Sequence, residues 1–386
     1  MSVTITQYPS NISFAGNPVL LKASTALSGK TFLKVCVQLT INLYQRASSV
    51  GSLVRKLSIP TNGGSETVVF DLSDELLSAL AQIPMERSSK LTGGSPSYTG
   101  GYAQYNVKVW DEYLDEYAEV VSTEHSASVS SDNKIAIPGA YLDIQRLVKP
   151  EDTEAFLYPS KILSNKPDYE AIPAGGKIVV PILNNEYKAV DVYLDTATSD
   201  NLVGSQNLYE AEASWKAFTI PASVTQGFHT LLWNGLDVPP FFIYSVPEQP
   251  FATYFEFVNR LGAVESIYTY GRGSHKASIN QERQVKKYNT SFRPSARYVK
   301  RVLQEVESVE LSTGPITREW AIWFVTEFFT AEKVWMYSPE ADDMIPVFIE
   351  GEDERTIFNE SDAAVLDLQF TITQCINTGT ASRYMQ

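Results

Sequence analysis

Phe32-Leu33-Lys34-Val35-Cys36-Val37-Gln38-Leu39-Thr40-Ile41-Asn42-Leu43 sets the fold class. Through Val35–Ile41, apolar residues partly alternate with polar ones. Alternation over four to eight residues marks a β-strand with one buried face. The pattern recurs at Tyr105–Trp110, Lys177–Leu183, Ala189–Leu194 and Phe228–Trp233. Gly, Pro, Ser and Asn punctuate the segments between. No regular alternation of strand and helix patterns is present, which argues against a doubly wound parallel sheet.

A weak internal repeat supports two units of one class. Ser58-Ile59-Pro60 precedes Gly64-Ser65-Glu66-Thr67-Val68-Val69-Phe70, and Thr219-Ile220-Pro221 precedes Gly227-Phe228-His229-Thr230-Leu231-Leu232-Trp233. In both, Pro stops a strand, Gly permits a turn, and an apolar triplet opens the next strand. The chain has 386 residues, and two to three domains of roughly 100–200 residues each are expected. The expected fold is mainly β, with two Ig-like β-sandwich domains (1–149 and 150–247) followed by a C-terminal α+β region (248–386). The Pro-rich stretches 148–173 and 239–250 serve as connectors.

Two helices stand out. Asp71–Ile83 carries Leu76, Leu77, Leu80 and Ala81 on one face, with Ser73 as the expected N-cap. Thr317–Glu332 follows the strand-breaking Gly314-Pro315, with Thr317 as its expected cap. Trp320, Trp323, Phe324 and Phe328 share a face at i, i+3, i+4 spacing. Ile322, Val325 and Phe329 widen that surface beyond one stripe. Such a helix packs on two sides or is covered by another subunit, and it is taken as the assembly helix.

Composition removes several classes. Hydrophobic residues at 44% and charged residues at 20% fit an ordinary globular chain. No apolar run approaches the roughly 18 residues of a membrane span, and no signal peptide is visible. The two cysteines, Cys36 and Cys375, form at most one bridge, which suits a reducing compartment. His125, His229 and His275 fall in no metal-ligand pattern, and the Gly-x-Ser-x-Gly elbow is absent. Gly271-Arg272-Gly273-Ser274 lacks a P-loop ending and reads as a hairpin turn. The acidic clusters 340–343 and 350–354 lack EF-hand spacing and read as solvated loops. Neither a catalytic group nor a cofactor or metal site is expected.

Charge is uneven. The formal net charge is −14, which argues against a general nucleic-acid binder. Yet 271–301 holds nine basic residues, Arg272, Lys276, Arg283, Lys286, Lys287, Arg293, Arg297, Lys300 and Arg301, against one acid, Glu282. The segment carries +8, leaving −22 for the remainder. It reads as a solvated basic face, as a contact for an acidic surface of a neighbouring copy, or as a nucleic-acid contact. The second suits head-to-tail association into rings or stacks. The loop Thr92–Tyr102, rich in Gly, Ser and Tyr, reads as a mobile hairpin tip. As a binding loop it would offer Tyr98 and Tyr102 to a ligand such as a host-surface glycan.

Three stretches carry a family resemblance. They are Phe255-Glu256-Phe257-Val258-Asn259-Arg260-Leu261-Gly262, then Ser312-Thr313-Gly314-Pro315-Ile316 leading into the Trp-rich helix, and Ile345–Ile349 with the late strand Leu366–Ile372. Their order, with the opening Asn11–Val19, resembles uncharacterised virion proteins of tailed phages and prophages of Bacteroidetes. The resemblance implies a structural role in a tail, baseplate or fibre, with no catalytic residues to carry over. The implied partners are further copies of the chain and other virion proteins, or a host-surface glycan, with no nucleic acid and no membrane insertion. The implied location is the virion, after synthesis in the bacterial host cytoplasm.

Overall fold

The structure is a computed structural model that describes residues 2–83, 97–99, 101–130, 133–139, 160–167, 169–184, 186–210, 213–247, 249–288, 295–339, 342–350 and 366–374. Along 275–288 and 295–307 it describes the backbone only. The fold is mainly β.

The quoted stretch lies in the strand Thr31–Gln45, an inner strand of the first large sheet. Ser48–Pro60 flanks it on one side and Tyr102–Leu114 on the other, both antiparallel. A smaller sheet of Val3–Gln7, Leu20–Thr25 and Thr67–Asp71 packs over it. Leu39, Ile41, Leu21 and Tyr105 are fully buried between the two. The helix Ser73–Leu80 seals this core with Leu76, Ala79 and Leu80. Its N-cap is Leu72, not Ser73. Asp71 Oδ1 accepts from Ser73 N at 3.0 Å and from Val19 N at 3.1 Å, so the acid before the helix does the polar work expected of the serine.

The second pair of sheets follows. One orders Glu170–Pro173, Phe241–Val246, Gly227–Trp233, Lys188–Leu194 and Leu202–Leu208. The other is built on Ala213–Thr219. The predicted strand Lys177–Leu183 is two strands, Lys177–Val179 and Ile182–Asn184, because Pro181 interrupts the ladder. Both pair with Ala213–Thr219. Ser97–Thr99, from the glycine-rich loop, also pairs with that strand, so this part of the loop is strand rather than hairpin tip.

The C-terminal sheet has seven strands in the order Val264–Thr269, Thr253–Val258, Val334–Ser338, Asp343–Ile349, Gln369–Gln374, Ser295–Ser312 and Ser274–Tyr288. It curls until its ends approach: Tyr270 N and Gly271 N donate to Thr313 O and Ser312 O, each at 3.1 Å. The segment Gly271–Ser274 is therefore a link across the curl and not a hairpin turn. A Cβ on Gly271 would lie 1.9 Å from Ser312 Oγ, so only glycine fits this approach.

The Trp-rich helix lies within the curl. It is α-helical over Arg318–Trp323 and π-helical over Phe324–Phe328. Thr317 caps it as expected, its side chain accepting from Trp320 N at 3.4 Å. Trp320, Trp323, Phe324 and Phe328 are buried against Phe255, Phe257, Val347 and Phe370 of the same sheet. The assembly role expected of these four side chains is corrected on that ground: their apolar surface is consumed inside the chain.

The units share cores. Tyr254, Tyr268 and Met344 of the C-terminal sheet pack with Ile172, Val192 and Ile243 of the second pair of sheets. Phe14, Tyr102, Trp215 and Leu261 join all three parts of the chain. Among the described residues, no helix is long and apolar enough to cross a membrane.

Candidate functional site

Two features could carry function: a basic hairpin at the edge of the C-terminal sheet, and a buried polar centre with a cleft beside it.

The hairpin pairs Ser274–Tyr288 with Ser295–Ser312. Only Ser308–Ser312 pairs further, with Gln369–Gln374. From Ala277↔Glu307 to Tyr288↔Ser295, no third strand pairs with the hairpin among the described residues. That ribbon extends on the order of 35 Å at the usual rise per residue. Cross-strand partners share a face and neighbours alternate. Arg283↔Lys300 therefore occupy one face, while Lys286↔Arg297 and Glu282↔Arg301 occupy the other. Lys276 sits opposite Ser308, and Lys287 opposite Ala296. The register distributes positive charge over both faces of the ribbon. Arg272, at its base, is exposed and lies 4.9 Å from the centre of the Phe251 ring. Arg293 lies outside the described residues.

Of the two loop tyrosines, Tyr102 is buried and stacks on Tyr44 at 5.1 Å, so it offers no free ring to a ligand. Tyr98 pairs through its backbone with Trp215. His229 lies on a strand as expected, with its Nδ1 2.8 Å from Asp195 Oδ2 and its Nε2 2.8 Å from Thr225 O. Both nitrogens are thus held in structural contacts. Among the described residues, no group of three or more His, Cys, Asp or Glu could hold a metal ion.

The polar centre was not found from the sequence. The Lys166 side chain is 2% exposed and its ammonium meets the carboxylate of Glu170, which is 0% exposed, and the carbonyl of Ser266. Glu265 Oε2 lies 3.9 Å from the same ammonium. Glu265 accepts from Ser164 Oγ at 2.7 Å and from Asn259 Nδ2 at 3.1 Å. Glu327, on the π-helical turn, accepts from Arg260 N at 3.2 Å and from Asn165 Nδ2 at 3.3 Å. Burial pushes all three carboxyls up, against the pull of Lys166 on Glu170 and Glu265 and of the N–H donors on Glu327. For Glu265 the result is about 7, from the ordinary 4.5.

These shifts fix a pH dependence. The folded chain holds the Glu265 proton more tightly than the unfolded chain does. Below about pH 4.5 both states are protonated and the group is neutral in the balance. As pH rises from there to about 7, the unfolded state loses the proton first, and folding stability falls. The urea midpoint of the wild type is expected to drop more steeply across that window than that of Glu265→Gln. Parallel curves would show that Glu265 does not titrate in this range.

Glu327 separates two clefts. One, of about 420 Å³, lies between the first unit and the C-terminal sheet, where Leu80 and Pro138 face Arg260 and Lys333. The other, of about 400 Å³, lies between Asn165, Pro167 and Tyr169 on one side and the Trp-rich helix on the other. Trp320, Trp323, Tyr169 and Asn165 line it with Glu327. The Trp323 indole Nε1 is buried and has no hydrogen-bond partner among the described residues.

No family model matches the chain. No curated protein matches it either. Among solved structures, CBD12 from CALX1.2 is similar over 60% of this chain and 80% of its own, at 8% identity and a TM-score of 0.19. The native conformation of E. coli alpha-2-macroglobulin matches over 80% of this chain at 8% identity and a TM-score of 0.21. The Y1175G mutant of Salmonella alpha-2-macroglobulin matches over 96% at 7% identity and a TM-score of 0.18. The chain covers 21% and 27% of those two macroglobulins. At such scores the likenesses carry nothing for the fold or function of this chain.

Proposed function

We propose that this chain is a non-enzymatic structural protein that works by protein–protein assembly, in the tail, baseplate or fibre of a tailed-phage virion. The observation that carries the assembly reading is the basic ribbon: a two-stranded arm with positive charge on both faces, on a chain whose remainder is acidic. An arm of this kind fits an acidic surface on a neighbouring copy or on another virion protein. The virion setting rests on the sequence resemblance alone. In the finer reading of the fold, 1–149 and 150–247 are Ig-like sandwiches and 248–386 is the α+β assembly region. The paired sheets around two apolar clusters and the helix inside the third sheet favour that division. The glycan-adhesin reading loses Tyr102 as a contact, because that ring is buried.

Light scattering on the full chain tests assembly. At low salt the mass is expected to be that of an oligomer, falling toward the monomer as ionic strength approaches 1 M, where the screening length is about 3 Å. The triple variant Arg283→Glu, Arg297→Glu, Lys300→Glu should be monomeric already at low salt. A wild-type mass of one chain at every concentration and salt would sink self-assembly.

A further inference from the structure

We infer that the basic ribbon of one copy docks on the end of the first large sheet of a second copy, where the open rings of Phe32 and Tyr117 stand with Glu116 and Glu119. The inference rests on the assembly reading and names the surface that receives the ribbon.

Three observations carry it. The first is the placing of apolar surface. Thr31, Leu114 and Val120 are cross-strand neighbours in one row at the end of that sheet. Phe32 follows the row, and Tyr117 lies in the turn that joins Leu114 to Val120. Phe32 is 77% exposed, Tyr117 78% and Val120 68%. Single exposed apolar residues are ordinary, but three at one sheet end mark an interaction surface. The second is the backbone. Phe32 sits in the bulge between Thr31 and Lys34 at a φ of 52°. That is left-handed backbone, which a bulky residue adopts only under strain. A ring so exposed gains little packing within the fold to offset it.

The third is charge. Residues 109–130 hold six acids and no Lys or Arg. Asp111 is buried, Glu112 pairs with Lys34 at 2.9 Å, and Glu124 pairs with Lys108 at 3.0 Å. Asp115, Glu116 and Glu119 make no ion pair among the described residues. Asp115 Oδ1 accepts from Tyr117 N and Glu119 N, at 2.9 Å each, and so fixes the turn. Glu116 and Glu119 are exposed. Acids and open rings together select the occupant. Arg and Lys pair with carboxylates and also sit over aromatic faces. Lys30 already lies over the Tyr113 ring, 4.8 Å from its centre, at this end of the sheet. A purely apolar partner would leave the two acids desolvated and unpaired, and an anionic partner would be repelled. The ribbon, with +8 over 271–301, matches the surface in charge. Ribbon and turn are different surfaces, so the contact is head-to-tail and repeats from copy to copy.

The test measures the solution mass of full-length variants by light scattering. The turn variant Glu116→Lys, Glu119→Lys is expected to be monomeric at low salt, where the wild type is an oligomer. Mixed with the ribbon variant Arg283→Glu, Arg297→Glu, Lys300→Glu, it should form a complex with equal numbers of the two chains, because each variant keeps one half of the contact. Phe32→Gly should weaken association about tenfold. In about 1 M salt, where the copies are separate, its melting temperature should not fall below that of the wild type. Glycine adopts a φ of 52° without strain, whereas a ring needed only for folding would lower that temperature when removed. An oligomer that the ribbon variant dissolves and the turn variant keeps overturns this inference and leaves assembly through the ribbon standing. So does a failure of the two variants to combine, or a Phe32→Gly chain that associates as tightly as the wild type. A wild-type mass of one chain at every salt overturns both readings.

Discussion

Lys166→Met is expected to lower the unfolding free energy by about 3–5 kcal/mol, the usual cost of leaving one member of a buried ion pair alone. The ammonium is enclosed by Glu170, Glu265 and the Ser266 carbonyl, with the Phe241 ring 5.9 Å away. Methionine fills the same volume but supplies no charge. Glu170, fully buried, must then be protonated or unbalanced. The deficit should therefore be smallest in acid and grow as pH rises, the sign set by a carboxyl whose folded pKa is raised. The double variant Lys166→Met, Glu170→Met removes both charges and should recover most of the loss. Urea denaturation of the four species as a double-mutant cycle measures this directly. Additive losses would mean that the two groups do not act as a pair.

Phe328→Ala is the second large effect, expected at about 3–5 kcal/mol. The ring is 0% exposed. It meets Phe255 and Phe257 edge-on at 5.2 Å each, Phe324 at 5.8 Å and Phe370 at 5.9 Å. Truncation leaves a cavity bounded by the helix on one side and rings from two strands on the other. The contrasting variant is Ile322→Ala, on the outer face of the same helix and 44% exposed. Its cost should stay within about 0.5 kcal/mol. Equal losses at the two positions would contradict the placement of the helix inside the curled sheet.

The contrast between these sites explains what the sequence made legible. Half-buried strands such as Thr31–Gln45 announce themselves because one face is apolar and the other is not. Thr317 was readable as a cap because capping is a local contact within three residues. Ser73 misled because the helix starts one residue earlier than that reading requires: Leu72 is the N-cap, and Asp71 accepts the backbone N–H of Ser73 itself. The strand Val264–Thr269 is buried along its whole length, yet it carries Glu265, Ser266 and Thr269. Polar letters on a doubly covered strand defeat any alternation rule. Their partners are far away in the chain: Ser164 reaches Glu265 across 101 residues and Asn165 reaches Glu327 across 162. One clue was available. Glu327 stands four residues after Trp323, in phase with the apolar face, where an acid needs a reason to be. The charge of the 271–301 segment was legible, but its form as a ribbon with no third strand among the described residues depends on where Gln369–Gln374 stops pairing.

Ser97–Thr99 has a consequence for how the protein is made. This strand emerges from the ribosome well before Ala213–Thr219, the strand it completes. The early part of the chain must hold a strand in waiting until the later sheet arrives. A chain begun at residue 150 would lack it and leave the backbone groups of 214–216 bare on that side, an edge that recruits other chains. Expression as separate pieces should then favour aggregation, whereas supplying residues 1–149 in trans offers the missing strand from a second polypeptide.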